Sequence, residues 1–225
     1  MDLLSTALSH QPTLFYVGLA ITAVALAVVL VAEVVARPSL NAIFKPIASF
    51  GFLLAGFAHP GAFASGYGVM VIIALVLGAA GDVLLIPKSN GPIFRAGILS
   101  FLLAHVAYLV AFFFRGIDAV SAAVALAVLV APAYLVWRYL AGRVDASLRG
   151  AVVSYITVIT LMVALSIGVA RFTEPAAPMV AVAAIVFYLS DLTVARQRFV
   201  VKRFWHRGLG LPLYFGAQFL FITTL

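Results

Sequence analysis

Residues 67–86 read YGVMVIIALVLGAAGDVLLI, and residues 177–196 read APMVAVAAIVFYLSDLTVAR. Each is about 20 residues long, the length an α-helix needs to cross the hydrocarbon core of a bilayer. Each carries one carboxylate, Asp82 or Asp191, inside an otherwise apolar run. Neither alternates with the period of a half-buried strand, and neither is interrupted by turn residues. These stretches read as transmembrane helices, and the rest of the chain follows the same pattern.

Six further apolar segments bring the expected spans to 13–34, 45–58, 67–86, 93–114, 119–137, 150–170, 177–196 and 209–225. The predicted fold is an all-α polytopic membrane bundle of about eight helices. The composition agrees: of 225 residues, 65% are hydrophobic and 9% charged, against about 25% charged in soluble domains. Mean hydropathy is +1.21. The second segment is short and lies between Lys45-Pro46 and His59-Pro60, so it is expected to be tilted or partly re-entrant, with Pro46 in its first turn, where proline is tolerated. Connections are short and carry Pro or Gly, among them Arg37-Pro38, Gly91-Pro92 and Glu174-Pro175. None is long enough to separate two domains, so residues 1–225 are expected to form a single membrane domain. The N-terminus lacks a basic n-region and its first apolar run is too long for a signal peptide, so it reads as a retained helix.

Basic residues orient the bundle. Arg37, Lys45, Lys88, Arg95, Arg138, Arg143, Arg149, Arg196, Arg198, Lys202, Arg203 and Arg207 fall on one side of an eight-helix arrangement, and Arg115 and Arg171 on the other. Twelve against two is a strong positive-inside bias. It predicts both termini outside and the 196–208 loop in the cytoplasm, in a plasma or bacterial inner membrane. The net charge of +7 then implies anionic lipid headgroups and no nucleic acid. Asp82 and Asp191 are 109 residues apart, and 23 residues after each comes a polar group on the next helix, His105 or Tyr214. That echo suggests a 4+4 parallel repeat.

Of the seven acids, Asp2, Asp118, Asp145 and Glu174 fall in tails or loops. Glu33 is expected to pair with Arg37 four residues on. Asp82 and Asp191 remain, and an intramembrane carboxylate is a functional candidate by default; the alternative is structural pairing with Lys45 or Arg196. The topology gathers Lys45, His105, Tyr108, Tyr155, Tyr214 and Gln218 with the two acids in one polar pocket near the basic end. Two buried carboxyls suit acid–base hydrolysis, one giving a proton while the other steadies a cation or activates water. A zinc site fits poorly: there are no cysteines, and of the four histidines His10, His59 and His206 fall outside the pocket. No Ser-hydrolase elbow, P-loop or dinucleotide fingerprint is present, so no metal and no cofactor are expected. A proton-coupled transporter or lipid carrier uses buried acids equally well, and the residues alone leave that alternative open.

The series Gly81-Asp82-Val83-Leu84-Leu85, then Phe94, Gly97, Phe101, His105, Tyr108 and Phe112, resembles the central signature of the YhhN family. Ser190-Asp191 with Ala195, the closing Tyr214 and Gln218, and Lys45-Pro46 extend the likeness from about residue 33 to the C-terminus. Phe215-Gly216-Ala217 departs from the family, which often places another aromatic before the Gln. The family includes lysoplasmalogenases, membrane hydrolases that cleave the vinyl ether of a lysoplasmalogen to a fatty aldehyde and a glycerophospho-ethanolamine or -choline. The resemblance therefore implies a lysophospholipid substrate and catalysis by Asp82 and Asp191 as a coupled pair. It also implies that Lys45 holds the lipid phosphate, while His105, Tyr108, Tyr155, Ser190, Tyr214 and Gln218 bind or orient. The sequence sets no oligomeric state.

Overall fold

The computed structural model describes residues 11–87, 91–171, 176–201 and 204–225; Asp2, His10, Lys88, Glu174, Pro175, Lys202 and Arg203 lie outside them. Among the described residues there are eight long helices and no strand. They are α1 (Thr13–Val34), α2 (Pro38–Phe57), α3 (Gly66–Leu84), α4 (Pro92–Arg115), α5 (Ala119–Ala141), α6 (Arg149–Val169), α7 (Ala177–Phe199) and α8 (Phe204–Ile222), with 3-10 turns at Pro60–Ala62 and Ala146–Leu148.

Chemistry at the helix ends sets these bounds. Pro38, not Pro46, occupies the first turn of α2. The α1–α2 turn is tight because Ala36 is left-handed (φ 53°) and Arg37 N–H donates to Ala32 O at 2.8 Å, the closure typical of a helix C-terminus. The re-entrant expectation for the second segment is thus corrected: α2 is a full 20-residue helix. Pro46 lies inside it, where it forgoes one intrahelical hydrogen bond and its ring crowds the carbonyl one turn back. Ser65 and Asp118 cap α3 and α5 by accepting from Gly68 N–H and Ser121 N–H. Gly116 ends α4 at φ 79°, a conformation glycine adopts without strain.

Seven helices, α1 to α7, are long and apolar enough to cross a membrane. The eighth begins at Phe204 rather than 209 and falls short in apolarity. Its position accounts for this: α8 packs against α7, α1, α2 and α3, and its buried residues include His206 and Gln218. A helix wrapped by its neighbours need not be soluble in lipid. At 19 residues it is still about 28 Å long.

Neighbouring helices pair as hairpins: α1 with α2, α3 with α4, α5 with α6, and α7 with α8. The α1–α2 pair is the tightest, since Gly18 and Gly51 face each other and a Cβ on Gly51 would stand 2.3 Å from Thr22 Oγ1 and 2.5 Å from Gly18 O. Gly51→Ala is therefore expected to force the helices apart and destabilise the protein by about 2 kcal/mol, read as a lower melting temperature in detergent; an unchanged melt would contradict this packing. Glu33 does not pair with Arg37 as expected. It accepts from Asn41 and forms an ion pair with Arg207, joining α1 to α8. The main core is built by Phe15, Phe52, Leu75, Tyr108, Phe112, Phe187, Phe215 and Phe221. The outermost helix is α5, packed mainly on α6 and presenting Val120, Val124, Val128, Tyr134 and Leu135 outward.

Candidate active site

Asp82 lies near the end of α3 with 1% of its side chain exposed. Its Oδ2 accepts from the Ser49 hydroxyl at 2.6 Å and the Tyr214 hydroxyl at 2.8 Å, and Lys45 Nζ stands 3.0 Å from Oδ1. Ser49 Oγ also lies 3.2 Å from Lys45 O, but its single hydrogen serves the shorter, charge-assisted bond. Lys45 and Ser49 are four residues apart on α2 and therefore share a face. Two hydroxyls and an ammonium are all donors, and a carboxylate, which only accepts, is their complement. The structural pairing of Asp82 with Lys45 is realised. The Lys45 ammonium is thus engaged by Asp82, while 19% of its side chain stays exposed.

Asp191, on α7, is more open, with 16% of its side chain exposed. Its Oδ2 accepts from the Tyr155 hydroxyl at 2.9 Å and stands 3.3 Å from His105 Nε2. The alternative pairing with Arg196 does not occur; that guanidinium lies over the Trp205 ring, 5.5 Å from its centre. No hydrogen bond reaches Asp191 Oδ1 from the described residues. His105 Nδ1 is 2.7 Å from Phe101 O, and because a carbonyl only accepts, Nδ1 carries hydrogen. Its Nε2 is then a bare lone pair unless the ring is protonated. Nε2 is close enough to Asp191 for an ion pair but lies off the line of a hydrogen bond. His105 Nε2 and the Asp191 carboxyl thus face each other at the edge of the cluster, close enough for a proton to pass between them.

The two clusters are separated by Phe187, fully buried on α7. Its ring stands edge-on to His105 at 4.6 Å and to Tyr214 at 5.5 Å. No hydrogen bond joins Asp82 to Asp191 among the described residues, so the single shared pocket of the sequence reading resolves into two neighbouring nests. Tyr108 and Gln218 lie behind them: the Tyr108 hydroxyl donates to Gln218 Oε1 at 2.6 Å. The Gln218 amide nitrogen faces Tyr214 without reaching hydrogen-bond geometry. Ser190 turns away from the acids and donates to Gly210 O at 2.9 Å, fastening α7 to α8. The sequence reading missed Ser49, although its place one turn beyond Lys45 is a usable signal, and Phe187, which no pattern marks.

The nests share one logic. Both carboxylates sit on the third helix of their half of the chain. Asp82 takes partners from α2 and α8, and Asp191 from α6 and α4. Each therefore binds its own half's second helix and the other half's fourth. The same exchange appears in packing, where α2 meets α3 and α8 while α6 meets α7 and α4. Two apolar grooves lie along α5. One, of about 400 Å³, runs between α5 and α6 past Leu126, Tyr134, Trp137 and Ile156. The other, of about 190 Å³, is bounded by Tyr139, Leu140, Leu192 and Arg196. Ile156 follows Tyr155 and Leu192 follows Asp191 in sequence, so each groove has one wall residue next in the chain to a member of the Asp191 cluster.

Eight helices around one buried and one part-buried acid define a polytopic membrane protein with an intramembrane polar site. The chain belongs to the YhhN family, whose sequence profile matches residues 40–225; the family is associated with hydrolase activity. No solved structure matches it.

Proposed function

We propose that this protein hydrolyses the vinyl ether bond of lysoplasmalogens, with the proton supplied from the Asp191–His105 pair. The observation that carries the reading is the difference between the two carboxyls: Asp82 is saturated by donors and sealed, while Asp191 is part-exposed and has an oxygen that no described residue hydrogen-bonds. The proton moves from Asp191 to the β-carbon of the vinyl ether, giving an oxocarbenium ion. Asp191, now a carboxylate, takes a proton from the water that adds to the cationic carbon. The hemiacetal then collapses, its hydroxyl proton passing to the glycerol oxygen, to aldehyde and glycerophospho-base. One water is consumed and the acid is restored, the carboxyl logic of glycoside hydrolysis. Tyr155 and His105 orient Asp191, and Asp82 positions Tyr214 and Lys45 on the far side of Phe187.

Purified protein given lysoplasmenylethanolamine is expected to release fatty aldehyde at a rate EDTA does not alter. Loss in EDTA that zinc restores would replace the carboxyl mechanism by a metal one. The exchanged pattern of helix contacts also favours a second reading, because paired repeats around buried acids suit alternating access. Proton-coupled flux in proteoliposomes without aldehyde release would select the transporter.

A further inference from the structure

Lys45 already pairs with Asp82 at 3.0 Å, and another cation, Arg196, lines an apolar groove. We infer that Arg196 and Arg143 form a headgroup subsite for a single-chain phospholipid at the mouth of the groove between α5 and α7; the identity of the bound lipid as the substrate rests on the reading above. Arg196 is itself a wall of that groove, with Val136, Tyr139, Leu140, Leu192 and Ala195. The Arg143 guanidinium lies over the Tyr139 ring, 4.5 Å from its centre, and donates to Tyr139 O. Neither arginine has an acidic partner among the described residues. A guanidinium in the last turn of a helix is favoured by the helix dipole whatever it binds. The groove adds what the dipole does not explain: one wall of the apolar slot is the Arg196 side chain and another, Tyr139, carries the Arg143 guanidinium on its ring, an arrangement complementary to a phosphate carrying a hydrocarbon tail.

Depth fits the same ligand. Asp191 lies five residues before Arg196 on α7, a rise of about 7 Å, comparable with the glycerol unit between a phosphate and the vinyl ether oxygen. Farther from the basic end, a second groove, between α5 and α6, runs along α5 from Trp137 to Leu126, about 16 Å of apolar wall on the same helix. A lysophospholipid held this way places its polar end at the arginines, its ether at the depth of Asp191 and its tail against lipid. The subsite also selects against the same ether without a phosphate.

The test compares full-length protein with Arg196→Gln and Arg143→Gln in a neutral detergent. The probes are a 1-O-alkyl-glycerophosphoethanolamine, which has no vinyl bond to cleave, and the corresponding 1-O-alkylglycerol, with binding followed by calorimetry. Wild-type protein is expected to bind the phosphate-bearing probe at least about tenfold more tightly, a margin that Arg196→Gln removes. Arg143→Gln is expected to reduce it by a smaller factor. Binding of the alkylglycerol, changed by less than about threefold, shows that the variants remain folded. Equal affinity of wild-type protein for the two probes overturns the subsite, as does equal loss for both, or no loss for either, in Arg196→Gln. Aldehyde release is assayed separately. Phosphate-dependent binding without aldehyde keeps the subsite and removes the reaction, whereas aldehyde release with an unchanged KM in Arg196→Gln keeps the reaction and removes the subsite.

Discussion

Asp191→Asn is expected to lower kcat for aldehyde release from lysoplasmenylethanolamine by about 10²- to 10⁴-fold, the span usual for loss of a general acid. Asparagine keeps the size of the side chain and an oxygen to accept from Tyr155, which lies 2.9 Å from Asp191 Oδ2. It cannot deliver a proton to carbon. Because the site is partly open and the tyrosine bond survives, the variant should melt within a few degrees of wild type and bind the alkyl probe with little change. The loss therefore falls on kcat and not on KM. His105→Asn tests the positioning of the acid: with the imidazole gone from beside Asp191, kcat is expected to fall while residual activity remains. Activity within about tenfold of wild type in Asp191→Asn would remove this residue from the proton-transfer role.

Legibility in the sequence was uneven, for physical reasons. Helices facing lipid announce themselves, because every outward position must be apolar; α1 and α3 to α7 begin within two residues of the expected segments. The helices misjudged were α2 and α8, which contribute Lys45 and Ser49, and Tyr214 and Gln218, to the buried polar layer. Their polar residues satisfy one another inside the bundle, and hydropathy, which measures transfer to lipid, does not register internal pairing. The acids themselves were conspicuous because an intramembrane charge is costly anywhere. Their division into two nests was not, since it depends on where a phenylalanine ring, Phe187, comes to stand. Spacing did carry one long-range fact. The 23-residue interval from each Asp to His105 or Tyr214 anticipates that those two groups serve as partners, but not that each serves the acid of the opposite half.

The asymmetry of the Lys45–Asp82 pair gives the second large effect, on stability. Asp82 is 1% exposed, whereas Lys45 keeps 19% of its side chain exposed on a long flexible stem. Lys45→Met leaves a sealed carboxylate with two hydroxyl donors and no countercharge, and breaking a buried pair in this way costs about 3–5 kcal/mol. Asp82→Asn leaves an ammonium that can swing toward the basic end and the headgroup layer, with Ser49 and Tyr214 still able to donate to the amide oxygen; its expected cost is about 1–2 kcal/mol. The double variant carries no buried charge and should be more stable than Lys45→Met alone, a coupling of about 1–3 kcal/mol. Melting curves in one detergent for the four proteins give the comparison directly. Equal destabilisation by the two single changes, or additivity in the double, would mean that the pair is solvated and contributes little. The expected order, with the lysine variant least stable, would instead make Asp82 the fixed anchor that holds α2, α3 and α8 together, leaving proton transfer to Asp191.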